Sequence, residues 1–284
     1  MNRGFATDAE FAFDTFGGAQ NALCLAPDAP RAVVGVLPAV GIRAAYYTEF
    51  FAALNARGIA GVAADWIGAG ASPVRASRRV AWSYNEMVHQ HAAGLHDASQ
   101  KRFGDVPFFW LGHSLGGHVA MLHAGLESGV RGVALFASGS PHYKAWTGRE
   151  RVAMAGGSLM VRVISAALGH FPGKELRFGE RESAAWARDW YHVHRTGSFS
   201  HPGFDGDALL RQMRAPVLVA TVFDDRLAPG ESAAALVART PTSNVTRRSW
   251  NPGHAVGHNR WPRRLRERAA EDFDLWVSRI LSSA

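Results

Sequence analysis

The stretch Gly112-His113-Ser114-Leu115-Gly116-Gly117 decides the fold, because it places the pattern G-x-S-x-G between a predicted strand and a predicted helix. The apolar run 108–111 precedes it, and a helical pattern over residues 118–127 follows it. In this setting a sharp turn lifts the serine hydroxyl clear of the sheet, and the flanking glycines let strand and helix approach closely. The pattern occurs at one serine of the chain, which makes Ser114 a candidate nucleophile.

Strand-like and helix-like segments alternate along the chain. This alternation predicts an α/β fold with a mostly parallel sheet and helices on both faces. The predicted buried strands are residues 32–37, 59–64, 108–111, 133–137 and 217–222. The predicted helices between them are residues 46–57, 83–103, 118–127 and 231–238. The first thirty residues are expected to supply antiparallel edge strands.

One interval breaks this rhythm, because about eighty residues separate the strand that ends near Ser138 from the strand that starts near Pro216. That length is too great for a single crossover helix. We therefore predict a core of residues 1–140 and 212–284 and an inserted helical cap of residues 141–211, with helical patterning over 151–168 and 180–195. The aromatic side chains of the cap predict a lid with an apolar underside over the carboxyl ends of the strands. They are Trp146, Phe171, Phe178, Trp186, Trp190, Tyr191 and Phe199.

Composition describes a globular chain able to bury a large core, with 284 residues, 47% hydrophobic and 19% charged. The single cysteine, Cys24, excludes an intrachain disulfide and fits a reducing compartment, so a cytoplasmic location is expected. The N-terminus lacks the apolar segment of a signal peptide. Glycine, arginine and proline break the longest apolar stretches, so no stable membrane insertion is expected. No pattern in the sequence specifies an oligomeric state.

The net charge of +7 comes almost entirely from arginine. Five arginines cluster near the C-terminus: Arg260, Arg263, Arg264, Arg266 and Arg268. Acidic residues alternate with them at helical spacing, which is typical of a solvated helix face. No nucleic-acid motif and no interleaved aromatic side chains accompany the cluster, so a nucleic-acid partner is not expected.

A serine nucleophile needs a base to take its proton and an acid to orient that base. In strand–turn–helix sites of this kind the partners follow in the order serine, acid, histidine. Asp224 and Asp225 directly follow the predicted strand 217–222, and His254 and His258 lie further on. Each position of a catalytic triad therefore has a candidate.

At this point the chain resembles the α/β-hydrolases, most closely the bacterial serine hydrolases related to lysophospholipases and monoglyceride lipases. Four blocks appear in the family's order: the loop 37–41, the turn 65–72, the serine turn, and the aspartate and Gly-His segments. The resemblance spans most of the chain. It implies that the turn 65–72 shapes the pocket floor without taking part in the chemistry.

The resemblance implies that Ser114 is the nucleophile, Asp225 the acid and His258 the base. Asp225 and Pro229 match the family's D-x-x-x-P spacing, and Gly257-His258 followed by Trp261 resembles its G-H-x-x-aromatic ending. Asp224 remains an alternative acid, although a turn-forming role is expected for it. His254, which also follows a glycine, remains an alternative base.

An oxyanion hole requires two backbone N–H donors. The resemblance assigns one to Leu115, at the N-terminus of the helix after the serine, and the other to Val40 in the loop after the third strand. The chain departs from the family here, because Pro38-Ala39 stands where His-Gly is common. A main-chain donor can tolerate that change, since it does not depend on the side chain.

The predicted function is hydrolysis of a small-to-medium, uncharged or amphipathic carboxylic ester through an acyl-enzyme on Ser114. An acyltransferase or a peptidase with the same triad, and a non-catalytic binding protein on this fold, are the alternatives. The expected partner is a small-molecule ester. No metal site and no cofactor are expected, because no histidine set has a convincing third ligand and no phosphate-binding glycine fingerprint follows a strand.

Overall fold

The computed structural model describes residues 10–242 and 244–283, and its centre is an eight-stranded sheet. Its strands are β1 (Phe11–Thr15), β2 (Gly18–Leu25), β3 (Ala32–Leu37), β4 (Ile59–Ala63), β5 (Phe108–His113), β6 (Val130–Phe136), β7 (Val217–Val222) and β8 (Val245–Trp250). Their order across the sheet is β1-β2-β4-β3-β5-β6-β7-β8. Strands β3 to β8 pair in parallel, whereas β1 pairs with β2 and β2 with β4 in antiparallel fashion. The predicted fold class is confirmed.

Helices cover both faces of the sheet. They are α1 (Thr48–Asn55), α2 (Ala93–Phe103), α3 (Leu115–Leu126), α4 (Gly148–Leu168), α5 (Ala184–Thr196), α6 (Gly206–Gln212), α7 (Gly230–Val237), α8 (Trp261–Arg264) and α9 (Arg266–Ser282). A short helix, Tyr84–Glu86, and a π-helical segment, Met87–Ala92, lead into α2. A 3₁₀ turn, Ala44–Tyr47, leads into α1.

The core consists of two hydrophobic clusters, one on each face of the sheet. Trp110 of β5 packs in the cluster that includes Val119 and Leu122 of α3. Phe109, the next residue along β5, packs in the other cluster with Trp276 of α9, their ring centroids 5.6 Å apart. Successive side chains of a strand point to opposite faces, so the uninterrupted apolar run of β5 serves both clusters at once.

Residues 141–211, called the cap below, form elements outside the eight-stranded sheet. The last of them, α6, packs on α3, where a Cβ atom at Gly125 would lie 2.0 Å from the Leu209 carbonyl oxygen. Helices α4, α5 and α6 alternate with two small antiparallel hairpins. The first hairpin pairs His170–Pro172 with Arg181–Ser183, and the second pairs Ser200–His201 with Phe204–Asp205. The helix predicted from residue 180 begins at Ala184 instead, because residues 181–183 pair as a strand and the Ser183 hydroxyl accepts a hydrogen bond from the Ala185 amide.

Helix α4 contains the helix predicted over residues 151–168 and extends it to 21 residues, from Gly148 to Leu168. Its glycines and Arg162 do not break it, contrary to the expectation that such residues keep the apolar stretches short of membrane-spanning length. Among the described residues, α4 is the one helix whose length and composition would allow it to cross a membrane. Its outward face carries exposed apolar residues, and Val152 is 73% exposed. The other exposed apolar side chains of the helix are Leu159, Met160, Val163 and Leu168.

The C-terminal arginines are largely engaged in contacts within the chain. Arg268 bonds to the buried carboxylate of Asp272 at 3.1 Å, and Arg266 lies 3.1 Å from Glu49. The Arg263 guanidinium lies over the ring of Tyr46, 4.2 Å from its centroid. These contacts are consistent with the predicted solvated helix face, whose arginines pair with neighbouring side chains of the same chain.

The first cap hairpin places a buried carboxyl group next to the core. Burial raises the pKa of Glu182 to about 7, although its Oε1 accepts a hydrogen bond from the Glu180 amide at 2.8 Å. The nearby carboxylate of Glu180 raises the pKa further. Ionisation of Glu182 therefore opposes folding, because a charged carboxylate loses its hydration in this site.

Glu182→Gln is expected to stabilise the protein at pH 8 and to leave its stability nearly unchanged at pH 4.5. The folded-state pKa lies above the unfolded value, so the destabilisation grows as the pH rises between the two and reaches an upper bound of about 3 kcal/mol. Urea unfolding at both pH values measures the difference. Glu175→Gln, at an exposed position of the same hairpin, is the control. An equal effect of Glu182→Gln at both pH values would contradict the buried-charge explanation.

Candidate active site

Ser114 occupies the turn between β5 and α3 with a strained backbone, at φ 55° and ψ −117°. A positive φ is costly for a residue with a side chain and persists only where the surroundings enforce it. Two donors hold the carbonyl group of Ser114: the Ser138 hydroxyl at 2.6 Å and the Gly117 amide at 3.0 Å. The turn leaves the serine side chain at the floor of the main cavity.

Three glycines around Ser114 are required by close approach. A Cβ atom at Gly112 would lie 2.2 Å from the Cα of Gly117, and one at Gly116 would lie 1.9 Å from the carbonyl oxygen of Leu37. A Cβ at Gly117 would lie 2.1 Å from the Ser138 hydroxyl. Each contact is too short for a real Cβ, so the serine turn can sit against β3 and β6 only with glycine at these positions.

The structure brings Ser114, His258 and Asp225 together in one row of hydrogen bonds. The Ser114 hydroxyl lies 2.7 Å from Nε2 of His258, and Nδ1 of His258 lies 2.8 Å from Oδ2 of Asp225. The other oxygen of Asp225 accepts hydrogen bonds from the Leu227 and Ala228 amides at 2.8 and 3.0 Å. In this arrangement the histidine can accept the serine proton while its Nδ1–H donates to the buried carboxylate.

The alternative candidates lie outside this row. Asp224 turns away from the histidine, and its carboxylate accepts hydrogen bonds from the Val256 and Gly257 amides at 2.9–3.0 Å. It therefore ties the loop that carries His258 to the end of β7. The side chain of His254 is exposed to solvent.

The loop after β3 places Val40 beside the serine. The Ile42 amide donates to the Ala39 carbonyl at 3.1 Å, and Gly41 has φ 70°, as expected for the third position of a type II turn. Val40 is the second residue of this turn, so its amide is not needed to close it. Within residues 10–242 and 244–283, neither the Val40 nor the Leu115 amide donates a hydrogen bond to the protein. Both residues line the cavity with Ser114.

The turn 65–72 supports this loop and does not line the cavity, contrary to the expectation that it shapes the pocket floor. Trp66 donates from its indole N–H to the Pro38 carbonyl at 2.9 Å. The Asp65 carboxylate accepts a hydrogen bond from the Ala44 amide at 2.7 Å and lies 3.3 Å from Arg43. The turn 65–72 therefore contributes to the site indirectly, by holding the loop that carries Val40.

The main cavity has a volume of about 590 Å³ and lies between the core and the cap. Its walls are mostly apolar, and the cap supplies four aromatic side chains: Trp146, Phe178, Trp186 and Trp190. Trp186 and Trp190 stack at 5.9 Å. The charged side chains among the lining residues are Lys174 and Arg177, both cationic and both on the exposed loop of the first cap hairpin.

Sequence reasoning missed His118, which lines the cavity one helical turn after Ser114. Its Nε2 donates to the Gly139 carbonyl at 2.7 Å, and the Tyr84 hydroxyl donates to Nδ1 at 3.0 Å. Burial lowers the pKa of His118 to about 4, so the ring is neutral near pH 7. The spacing of four residues on a predicted helix was the available signal, since it places both side chains on one helix face.

Among the described residues, no group of three or more His, Cys, Asp or Glu side chains is placed to hold a metal ion. The buried histidines bond instead to nearby backbone and side-chain groups. His194, for example, hydrogen-bonds to the Pro141 carbonyl at 2.8 Å.

The sheet order, the strained serine turn and the bonded Ser–His–Asp row define an α/β-hydrolase. Residues 28–178, just over half of the chain, match the family described as serine aminopeptidase S33 (Hydrolase_4), and the chain belongs to that family. A comparison with curated protein sequences gives no match.

Solved structures with the same fold have low sequence identity to this chain. A Bacillus coagulans carboxyl esterase in complex with glycerol is 16% identical, with a TM-score of 0.68 over 97% of this chain and 99% of that one. The Saccharomyces cerevisiae monoglyceride lipase is 13% identical, with a TM-score of 0.68 over 97% and 96%. The Paleococcus ferrophilus monoacylglycerol lipase is 17% identical, with a TM-score of 0.60 over 97% and 100%. At these identities the likeness shows the fold alone.

The two candidate bases can be separated by a matched pair of variants. His258→Ala is expected to lower kcat for ester hydrolysis by about 10⁴-fold or more, since it removes the acceptor for the serine proton. His254→Ala is expected to leave kcat within about twofold, because that side chain is exposed and lies outside the row. Steady-state kinetics on a p-nitrophenyl ester measures both, with circular dichroism as the folding control. The reverse pattern would assign the base to His254.

Proposed function

We propose that this protein hydrolyses carboxylic esters through an acyl-enzyme on Ser114. The observation that supports this most directly is the row of hydrogen bonds from Ser114 to His258 and from His258 to Asp225, at 2.7 and 2.8 Å. Both are within the range of well-formed hydrogen bonds. The row ends on a carboxylate whose remaining oxygen is satisfied by two amides, so Asp225 is held in one orientation.

The reaction proceeds in two steps. The Ser114 hydroxyl attacks the ester carbonyl as His258 takes its proton, and the collapse of the tetrahedral intermediate expels the alcohol, which receives that proton. Water then attacks the acyl-enzyme with His258 again as the base, and the acid is released. Asp225 stabilises the histidine cation that forms in each step.

The amides of Val40 and Leu115 are proposed to hold the negative oxygen of each intermediate. Both residues line the cavity beside Ser114, and both amides are free of hydrogen bonds within the described residues. The N-terminal end of α3 adds a favourable dipole at Leu115. Loss of one such donor typically raises the barrier by about 3 kcal/mol.

The charges of the cavity favour an ester over the N-terminal amino acid of a peptide. An aminopeptidase must hold a protonated amino group, for which a carboxylate is the natural partner. The charged residues lining this cavity are Lys174 and Arg177, which would repel that group. Parallel assays with a p-nitrophenyl ester and an amino-acid p-nitroanilide compare the two activities directly.

The shape and polarity of the cavity favour an uncharged or amphipathic substrate of modest size. Its volume of about 590 Å³ lies within the range of small-molecule sites, and its walls are mostly apolar. Helix α4 contributes Met154 and Val161 to these walls and also carries the exposed apolar face. An ester that partitions into micelles or lipid would meet an apolar surface beside the entrance.

Hydrolysis and acyl transfer differ only in the acceptor that attacks the acyl-enzyme. Product analysis in the presence of glycerol separates them, since a transferase yields a new glycerol ester and a hydrolase yields the free acid. We expect the free acid to dominate.

Ser114→Ala is expected to abolish hydrolysis of p-nitrophenyl esters with acyl chains from acetyl to dodecanoyl, because no other group forms the acyl-enzyme. The wild-type enzyme is expected to show a maximum at intermediate chain length, set by the cavity. Rates measured across the series with both proteins test the proposal. Equal rates for the variant and the wild type would refute it.

A further inference from the structure

The loop after β3 is held at three consecutive main-chain groups. Trp66 bonds to the Pro38 carbonyl at 2.9 Å, and the Ala39 amide donates to the hydroxyl of Tyr47 at 3.2 Å. The Ala39 carbonyl closes the turn by accepting from Ile42 at 3.1 Å. Tyr47 therefore acts on the residue directly before Val40.

The Tyr47 hydroxyl also makes a second hydrogen bond, to a histidine. It lies 2.8 Å from Nδ1 of His113, and Nε2 of His113 lies 3.0 Å from the carbonyl oxygen of His258. Both side chains are completely buried. A single chain of hydrogen bonds thus joins the loop that carries one proposed oxyanion donor to the main chain of the proposed base.

In this chain of hydrogen bonds, the donor and the acceptor of each bond are determined. The His258 carbonyl can only accept, so Nε2 of His113 carries a hydrogen. Burial holds the pKa of His113 well below its usual range, so the ring is neutral and Nδ1 must accept. The Tyr47 hydroxyl, whose pKa burial raises, donates to Nδ1 and accepts from the Ala39 amide. No member has an alternative arrangement that would weaken the link.

We infer that Tyr47 and His113 are positioning residues, which fix the loop of Val40 and the backbone of His258 relative to each other through this chain of hydrogen bonds. The inference rests on the proposed function, since it concerns the same oxyanion hole and the same base.

A second buried tyrosine–histidine pair provides a matched control. The Tyr84 hydroxyl donates to Nδ1 of His118 at 3.0 Å, and Nε2 of His118 donates to the Gly139 carbonyl at 2.7 Å. This pair has the same chemistry and is also buried, although His118 lines the cavity, and its bonds reach neither the loop 38–41 nor residue 258. Tyr47→Phe and Tyr84→Phe each remove one buried oxygen atom.

Tyr47→Phe is expected to lower kcat for p-nitrophenyl ester hydrolysis about tenfold with KM nearly unchanged, since misplaced donors weaken the transition state more than the substrate complex. It is also expected to weaken inhibition by a trifluoromethyl ketone about tenfold, because that inhibitor forms an oxyanion on the serine. Tyr84→Phe is expected to cost a similar amount of stability and to change kcat and inhibitor binding less than Tyr47→Phe does, since its bond reaches neither the loop 38–41 nor residue 258.

Two His113 variants test the link independently if Tyr47→Phe does not fold. His113→Gln keeps a donor able to reach the His258 carbonyl, whereas His113→Leu has a similar volume and no polar atom. We expect the Gln variant to retain about tenfold more kcat than the Leu variant. Equal kcat in these two, or equal effects of Tyr47→Phe and Tyr84→Phe on kcat and inhibitor binding, would overturn the inference. Activity of Ser114→Ala equal to wild type would instead overturn the proposed function.

Discussion

The strained backbone of Ser114 is the constraint on which the rest of the site depends. Its φ of 55° turns the chain from β5 into α3 within one residue, and this turn lifts the hydroxyl toward the cavity. Such strain costs about 1–3 kcal/mol, which the surrounding structure must supply. The compensating interactions are the two hydrogen bonds to the Ser114 carbonyl and the close packing of the turn against Leu37 and Ser138, which its glycines allow.

The groups that face Ser114 come from loops at the carboxyl ends of neighbouring strands. Hydrogen bonds to residues of other loops hold these loops in place. Asp224 holds the loop of His258 through the Val256 and Gly257 amides. The indole N–H of Trp146, from the start of the cap, bonds to the Arg226 carbonyl at 2.9 Å, next to Asp225. The cap is therefore attached to the loop of the proposed acid as well as placed above it.

The sequence predicts those parts of the molecule whose signals are local. The central strands are continuous apolar runs, so residues 32–37 and 217–222 were predicted with the bounds that β3 and β7 have. Strand β8 escaped prediction, because Val245–Trp250 is a half-polar edge strand whose Arg248 and Trp250 bond to Asp272 of α9. Helix α4 was predicted over residues 151–168, and the helix begins three residues earlier, at Gly148; Gly156 and Gly157 have open space around them and lie within it.

The residues of the candidate site also fall into two groups, those that a local motif predicts and those that only the structure shows. Ser114, Asp225 and His258 were predicted because each lies in a short motif, and the structure places Ser114 and Asp225 within hydrogen-bond distance of the two ring nitrogens of His258. Tyr47 lies in no such motif, and the turn 65–72, which contains Trp66, does not by itself indicate the contact that Trp66 makes. The partners of these two side chains are 66 and 28 residues away along the chain. Contacts of that kind depend on how the strands are ordered in the sheet, which no local pattern encodes.

The central claim is that Ser114 is an activated nucleophile, and covalent labelling tests it most directly. A fluorophosphonate probe reacts with a serine hydroxyl whose proton is removed by a positioned base, and peptide mass spectrometry locates the modified residue. The account predicts one label per chain, on the peptide that contains Ser114, and no label in Ser114→Ala. A wild-type protein that remains unlabelled, or a label that persists in the variant, would contradict it.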